Sequence, residues 1–198
     1  MNFLAHIYLS GDDTEIAIGN FISDSVRGNK YKSFPIGIQK GIILHRNIDT
    51  FTDAHEIFRK STKRLHKKYG HYSGVIVDIY YDHFLAKNWQ DYSNQSLEEY
   101  TTKFYEVLIN KYDLLPTRVQ NLIPYLIKDN WLLSYATVDG ISRVLKGMSK
   151  RTKYKSNMEL ATEDLIEFYD IFEKEFKTFF KELIAFSNNK IQEINFKL

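Results

Sequence analysis

The 198-residue chain contains no cysteine, which excludes a disulfide framework, a thiolate metal site and a cysteine nucleophile. Any metal would therefore be bound by nitrogen and oxygen ligands. Glycine and proline are scarce, with 9 and 3 residues, so the chain has little material for turns. The G-x-x-x-x-G-K-[ST] phosphate loop and the G-x-S-x-G nucleophile motif are also absent, which argues against nucleotide-triphosphate and serine-hydrolase chemistry.

The composition is that of a globular protein, with 43% hydrophobic and 26% charged residues. The 14 tyrosines and 14 phenylalanines supply abundant packing material. The length predicts one domain spanning residues 1–198, and the shortage of turn residues favours an all-α helical bundle. The opening "MNFLAHIYLSGDD" lacks the basic region of a signal peptide and the length of a membrane span, so we expect a cytoplasmic protein.

Hydrophobic periodicity predicts a succession of helices. They are expected within 2–10 and 12–28, over 37–50, from Asp53 onward, and over 73–90, 96–112, 117–147 with a break near Pro124, and 158–189. Asp12 with Glu15 forms a capping-box pattern, and Gly28 is suited to end the second helix. Asp53 with Glu56 predicts the N-cap of the fourth helix.

The stretch "GIILHRNIDTFTDAH", residues 41–55, places polar groups beside an apolar stripe. His45 and Asp49 are four residues apart and therefore share one helical face, at the edge of that stripe. Asp49 could instead pair with Arg46 or a lysine, and His45 could be a hydrogen-bonded core histidine. Asp53 is a weaker candidate ligand because it is also suited to cap a helix.

The stretch "SGVIVDIYYDHFLAKNWQ" predicts a helix that carries carboxylates inside its apolar stripe. Asp78 and Asp82 lie about 40° apart on a helical wheel, and His83 borders the same stripe. An ionised carboxylate without a partner there would cost several kcal/mol or take up a proton. We therefore expect a positive group close to both aspartates.

Two further residues have both a structural and a functional interpretation. Asp24, in "GNFISDSVRGN", could form a surface ion pair with Arg27, or it could bind a metal while Arg27 binds a phosphate. His6 lies among apolar residues, where a histidine is more often a hydrogen-bonded core residue than a ligand. Spacing alone does not choose between these interpretations.

Taken together, these residues offer carboxylates and imidazoles from several helices. Such a set suits Mn²⁺, Mg²⁺, Fe²⁺ or Zn²⁺ in a helical bundle, where metal sites are formed by facing side chains. A divalent metal polarises phosphoryl oxygens and lowers the pKa of a bound water. The residues therefore favour a metal-dependent phosphodiester hydrolase.

Basic residues are concentrated in two runs, although the formal net charge is only +2. Residues 59–68 and 143–155 each contain six lysines or arginines and no acidic residue. Such runs are typical either of solvated helix surfaces or of a docking face for an anionic partner.

Five segments occur in order along nearly the whole chain: "MNFLAHIYLS", "GNFISDSVRGN", "GIILHRNIDTFTD", "VDIYYDHFLAKNW" and "NWLLSYATVDGISRVLKGMSKR". Together they resemble the acyl carrier protein phosphodiesterase family, which is similar to a divergent branch of the HD-type metal-dependent phosphohydrolases. The resemblance implies an HD-phosphohydrolase-like helical fold, manganese as the metal and a role in lipid metabolism. The implied reaction is removal of the 4′-phosphopantetheine arm from holo-acyl carrier protein.

With this resemblance, we expect four metal-binding residues: Asp24, His45, Asp49 and Asp82. Ligand orientation or proton transfer is assigned to Asp78 and His83, and phosphate binding to Arg27 and Arg46. The alternative metal ligands are His6, Asp53 and His83.

Acyl carrier proteins are strongly acidic, so the two basic runs are expected to form their docking surface. The contacts expected there are Lys63, Arg64, Lys150 and Arg151. Two other functions fit parts of the sequence: an HD-like hydrolase of nucleotides or other small phosphodiesters, and a noncatalytic helical binding protein. The carboxylates within apolar stripes argue against the second, and we expect neither a nucleic acid partner nor membrane association.

Overall fold

The computed structural model describes residues 1–197, so Leu198 lies outside the described part of the chain. Every regular element in that range is helical. The α-helices are α1 (Phe3–Tyr8), α2 (Thr14–Ile22), α3 (Ile36–Ala54), α4 (Glu56–Tyr69), α5 (Ser73–Lys87), α6 (Leu97–Asn110), α7 (Thr117–Gln120), α8 (Ile123–Lys128), α9 (Trp131–Ser134), α10 (Val138–Arg151), α11 (Ala161–Glu167) and α12 (Tyr169–Lys197). The prediction of an all-α bundle is confirmed, whereas the HD-like relationship stays a prediction.

Helices α5 and α12 form the centre of the hydrophobic core. Tyr80 and Tyr81 of α5 are completely buried and contact Phe172 and Phe176 of α12, with ring centroids 5.1 and 5.6 Å apart. Burying one large apolar side chain contributes roughly 1.5–3 kcal/mol. Because α5 is covered on almost every face, any polar side chain on it needs a partner within the protein.

Within residues 1–197, no helix combines the length and hydrophobicity that a membrane crossing requires.

Helices α2 and α3 cross in backbone contact, and two glycines make that contact possible. A Cβ atom added to Gly19 would lie 2.1 Å from the carbonyl oxygen of Ile38, and one added to Gly41 would lie 2.1 Å from that of Ile16. Any larger residue at either position would push the helices apart. This close approach places α2 beside the face of α3 that carries His45.

The ends of the second and fourth helices differ from the predictions. Asp13 rather than Asp12 caps α2, accepting hydrogen bonds from the backbone of the first turn. The helix ends at Ile22, well before Gly28, and the 3₁₀ turn Ser23–Ser25 follows it. Asp53 is not an N-cap, since it lies inside α3, and His55 caps α4 through a hydrogen bond from the Ile57 amide.

The region predicted as one broken helix over 117–147 contains four helices, α7 to α10. Pro124 lies in the first turn of α8 rather than at a break, because a proline is tolerated where no intrahelical N–H bond is needed. The predicted 158–189 helix is likewise two helices, α11 and α12, which Phe168 separates.

Candidate metal centre

Three side chains from two helices converge at one point. His6 of α1 and His45 and Asp49 of α3 each offer one ligand atom, and these atoms all lie within 4.8 Å of one another. The two imidazole rings are stacked, with centroids 4.0 Å apart and planes inclined by 18°. Both rings are buried, whereas the Asp49 side chain is 42% exposed. The three residues, called the His–His–Asp cluster below, could hold a metal ion.

Asn20 of α2 determines which nitrogen each histidine directs into the cluster. His45 Nδ1 lies 2.8 Å from the backbone oxygen of Asn20, which can only accept, so Nδ1 carries the proton. The Asn20 side-chain nitrogen donates to the His6 carbonyl oxygen at 2.7 Å, so its Oδ1 is the acceptor for His6 Nδ1, 2.7 Å away. In the neutral rings both Nε2 atoms therefore present lone pairs to the cluster, as metal ligation requires.

Two carboxylates face these Nε2 atoms. Asp49 Oδ2 lies 3.0 Å from His45 Nε2, and its Oδ1 lies 3.3 Å from His6 Nε2. Asp24, in the Ser23–Ser25 turn, places Oδ1 3.3 Å from His45 Nε2. The Asp24 side chain is 73% exposed, so the cluster is buried on the histidine side and open to solvent on the Asp24 side.

The electrostatics of the two histidines differ sharply. Burial and the neighbouring positive charge of His45 lower the pKa of His6 to about 4. Burial also disfavours the charged form of His45, but hydrogen bonds to Asp24 and Asp49 outweigh it and raise its pKa to about 9. Although burial opposes ionisation of Asp49, its hydrogen bond with His45 and its close contact with His6 hold its pKa well below the usual range. At neutral pH His6 is therefore neutral, while Asp49 is ionised.

This arrangement fits a bound cation. His6 Nε2 is buried, has no hydrogen-bond partner within the described residues, and faces an oxygen of the ionised Asp49 carboxylate at 3.3 Å. Two lone pairs directed at each other repel, and a cation placed between them would remove that repulsion. Two imidazoles and one carboxylate with solvent access are also a common ligand set of catalytic metal ions.

Asp82, a predicted ligand, contacts the backbone of α1. Its two oxygens accept hydrogen bonds from the amides of Leu4 at 2.8 Å and Ala5 at 3.2 Å, and the residue is completely buried. Burial raises its pKa to about 7. These contacts satisfy two first-turn amides of the short helix that carries His6. The role of Asp82 as a ligand stays a prediction, because its observed contacts position α1.

Asp78 and His83 bond to groups outside the His–His–Asp cluster, although the Met1 amino group that contacts Asp78 also lies 3.9 Å from Asp49 Oδ1. Asp78 Oδ1 lies 2.9 Å from the α-amino group of Met1. His83 Nδ1 donates to the Tyr135 carbonyl oxygen, and Nε2 accepts from the Tyr169 hydroxyl, both at 2.7 Å. Burial lowers the pKa of His83. With both nitrogens bonded in the neutral form, His83 has the contacts of a hydrogen-bonded core histidine, and its assignment to catalysis stays a prediction.

The two predicted phosphate-binding arginines are neighbours with different contacts. Arg46 Nη2 donates to the carbonyl oxygens of Val26 and Gly28, at 3.2 and 2.9 Å. These bonds lie on either side of Arg27, which is exposed. Arg46 therefore holds in place the segment that presents Arg27 near Asp24.

The four predicted docking residues do not share one environment. Arg64 donates from both terminal nitrogens to Glu175 at 2.8 Å, and this pair is largely buried. Lys63 is exposed on α4, and Lys150 and Arg151 are exposed at the end of α10. The contacts of Arg64 are those of a residue that joins α4 to α12.

Two residues at the His–His–Asp cluster are missing from the four expected metal ligands. The sequence favours His6 as a core residue and offers it only as an alternative ligand, yet its ligand atom lies in the cluster. Asn20 was not a candidate at all, although it bonds to both histidines. The only local signal for either residue was its place in the segments "MNFLAHIYLS" and "GNFISDSVRGN".

Comparison with known proteins supports the resemblance. A family model described as acyl carrier protein phosphodiesterase matches residues 1–183. Proteins named acyl carrier protein phosphodiesterase from Escherichia coli strains O139:H28, O9:H4 and K12 are each 33% identical over 198 aligned residues. These alignments cover 96% of this chain and 99% of each relative. No solved structure gives a significant match to this chain.

Proposed function

The chain belongs to the acyl carrier protein phosphodiesterase family, and from that membership we propose that it hydrolyses the phosphodiester of holo-acyl carrier protein. The bond cleaved joins 4′-phosphopantetheine to the carrier serine, so the products are apo-carrier protein and 4′-phosphopantetheine. The His–His–Asp cluster is the observation that supports this reaction best, since its ligand atoms converge beside an exposed carboxylate. A cytoplasmic location is part of this proposal.

The proposed cofactor is a divalent cation, and manganese is the ion that family membership favours. His6 and His45 would hold it through Nε2, with Asp49 and the exposed Asp24 supplying oxygens. Such an ion supplies charge that polarises the phosphoryl oxygen and acidifies a water molecule. Asn20 bonds to Nδ1 of both imidazoles, so a metal would bind at Nε2 and, at His45, would replace the proton there.

The remaining residues position the substrate. Arg27 would bind a non-bridging phosphate oxygen, because it is exposed and lies three residues from Asp24. Arg46 would keep the Arg27 segment in place through its two backbone contacts. Asp82 would hold α1, and with it His6, in the position that the cluster requires.

The direct test is mass spectrometry of holo-acyl carrier protein incubated with the purified protein and either Mn²⁺ or EDTA. We expect loss of the phosphopantetheine mass with Mn²⁺ and retention with EDTA. The His45→Ala variant should not release the arm, whereas His71→Ala, at an exposed histidine, should match the wild type. Retention of the arm by wild-type protein with Mn²⁺ would overturn the proposal.

The two alternative functions predict different results in the same assay. An HD-like nucleotide hydrolase would cleave small phosphodiesters with Mn²⁺ and leave holo-carrier protein intact. A noncatalytic binding protein would bind no Mn²⁺, which equilibrium dialysis would show directly.

A further inference from the structure

Two cavities that share lining residues open near α1, α8 and α10. One, of about 540 Å³, lies against α8, α9 and α10, and the other, of about 370 Å³, lies between α1, α2 and α7. Tyr125 and Arg151 line both cavities, so the two are adjacent and are treated together as one depression. The second cavity reaches Ser25, next to Asp24, and Phe3, one turn before His6. The second cavity is thus lined by residues that are close in the chain to Asp24 and His6, although neither of these two residues lines it.

The depression carries a concentrated positive charge. Arg118, Arg143 and Arg151 line it and are exposed, and Asp129 is the acidic residue in its wall. Within residues 1–197, none of the three guanidinium groups forms an ion pair. We call this depression, defined by the three arginines and Tyr125, the arginine groove.

The basic run on α4 has a different electrostatic environment. Arg64 and Lys60 both contact Glu175, and Lys68 lies 2.8 Å from Asp164. Much of the α4 charge is therefore neutralised within the protein. The two basic runs look alike in the sequence, but only the α10 run adjoins a concave surface with unpaired arginines.

Aromatic side chains give the arginine groove the composition of a protein-binding surface. Tyr125 lines both cavities and is 65% exposed, and Trp131 and Met148 line the larger one. Tyrosine, tryptophan and arginine are the residues most enriched among energetic hot spots of protein interfaces. An exposed tyrosine between arginines can pack against a partner's apolar atoms while the arginines pair with its acids.

The segment that follows α10 extends the same basic surface in a strained conformation. Lys153 and Tyr154 both have left-handed backbone angles, with φ of 54° and 61°, which cost of order 1–3 kcal/mol each for residues with side chains. The Tyr154 amide donates to the Ser149 carbonyl oxygen at 2.8 Å and holds this turn against α10. Lys153, Tyr154 and Lys155 are consequently exposed beside Arg151.

We propose that the arginine groove receives an acidic helical surface of the carrier protein, next to the serine that bears the arm. This inference rests on the proposed function. Charge complementarity favours a protein surface over the arm itself, because pantetheine is uncharged beyond its phosphate and the groove distributes three cations over two cavities. The carrier would then be held with its phosphodiester directed toward Asp24.

The test compares two double charge reversals with the same change in net charge. The Arg143→Glu/Arg151→Glu variant alters the groove, and the Lys174→Glu/Lys181→Glu variant alters exposed lysines on α12. Each is assayed with holo-carrier protein and with a short serine peptide that carries phosphopantetheine. We expect the groove variant to raise KM for holo-carrier at least tenfold, with kcat and the rate on the peptide close to wild type. Apo-carrier protein should inhibit the wild type and the control variant competitively, but not the groove variant.

Two results would overturn the groove proposal while leaving the proposed function intact. Equal kinetics of the two double variants on holo-carrier would show that the groove does not contact it. An equal loss on holo-carrier and on the peptide would show that the arginines bind the arm or support catalysis instead. Failure of the wild-type protein to release the arm from holo-carrier would instead count against the proposed function itself.

Discussion

Helices α3 and α5 carry similar polar residues, but these residues differ in their exposure and in their hydrogen-bond partners. Each helix places acidic and histidine side chains along or beside an apolar stripe, and four-residue spacing joins His45 to Asp49 and Asp78 to Asp82. On α3 the pair opens toward solvent, with Asp49 42% exposed. On α5 Asp82 and His83 are buried and bonded to other helices. The two helices carry similar residues, and what differs between them is the exposure of the carboxylate, which is high for Asp49 and absent for Asp82.

The largest expected effect is on α3. Asp49→Asn should reduce kcat/KM by at least about 10³-fold, equivalent to about 4 kcal/mol of transition-state stabilisation, because it removes the negative charge facing both histidines. The thermal transition, followed by circular dichroism, should change little. Asp53→Asn, one turn further along α3 and exposed, is the matched control and should retain activity; a similar loss there would restore Asp53 as a ligand.

The corresponding change on α5 should act on stability. Asp82→Ala leaves two buried amides of α1 without acceptors, so we expect a loss of about 3 kcal/mol in the free energy of unfolding. The matching drop in Tm is roughly 6–12 °C for a protein of this size. Urea denaturation would measure it. If Asp82→Ala abolished Mn²⁺ binding at unchanged stability, Asp82 would be a ligand and the contrast between the two helices would fail.

Asn20 tests how far the α3 site depends on a neighbouring helix. Asn20→Ala removes the acceptor for His6 Nδ1 but keeps the backbone oxygen that bonds to His45. We expect Mn²⁺ affinity, measured by isothermal titration, to fall about 10- to 100-fold, the usual effect of losing a residue that orients a ligand. An unchanged affinity would mean that stacking against His45 suffices to orient His6.

The smallest expected effect concerns His83. Burial lowers its pKa below the usual 6.5, so just below pH 6.5 the folded protein binds fewer protons at this site than the unfolded chain does. The His83 contribution to the free energy of unfolding is therefore complete above pH 6.5 and declines as the pH falls toward the folded pKa. His83→Gln should cost about 1 kcal/mol at neutral pH and show a weaker loss of stability between pH 7 and 5.5 than the wild type. A kcat below half that of wild type would support the catalytic assignment of His83 instead.

The helices themselves were largely predictable, and their ends were less so. Hydrophobic spacing located α5 and α6 well, because a long apolar pattern reflects the local 3.6-residue repeat. It missed the division of 117–147 into four helices, since these short turns are held by packing rather than by strong local signals. The spacing of Asp53 to Glu56 predicts a cap, yet α3, which packs against α2 and α12, continues through Asp53 to Ala54.

The amino-acid sequence by itself determined that the protein is helical, that any metal site lacks sulfur ligands, and that His45 and Asp49 share one helix edge. These properties depend on composition and on residues a few positions apart. The tertiary structure decided that His6 joins them, that Asn20 sets both tautomers, and that Asp82 serves α1. The His45–Asn20 and Leu4–Asp82 hydrogen bonds span 25 and 78 positions, and such contacts depend on how helices cross, which in this protein includes the backbone contact at Gly19 and Gly41.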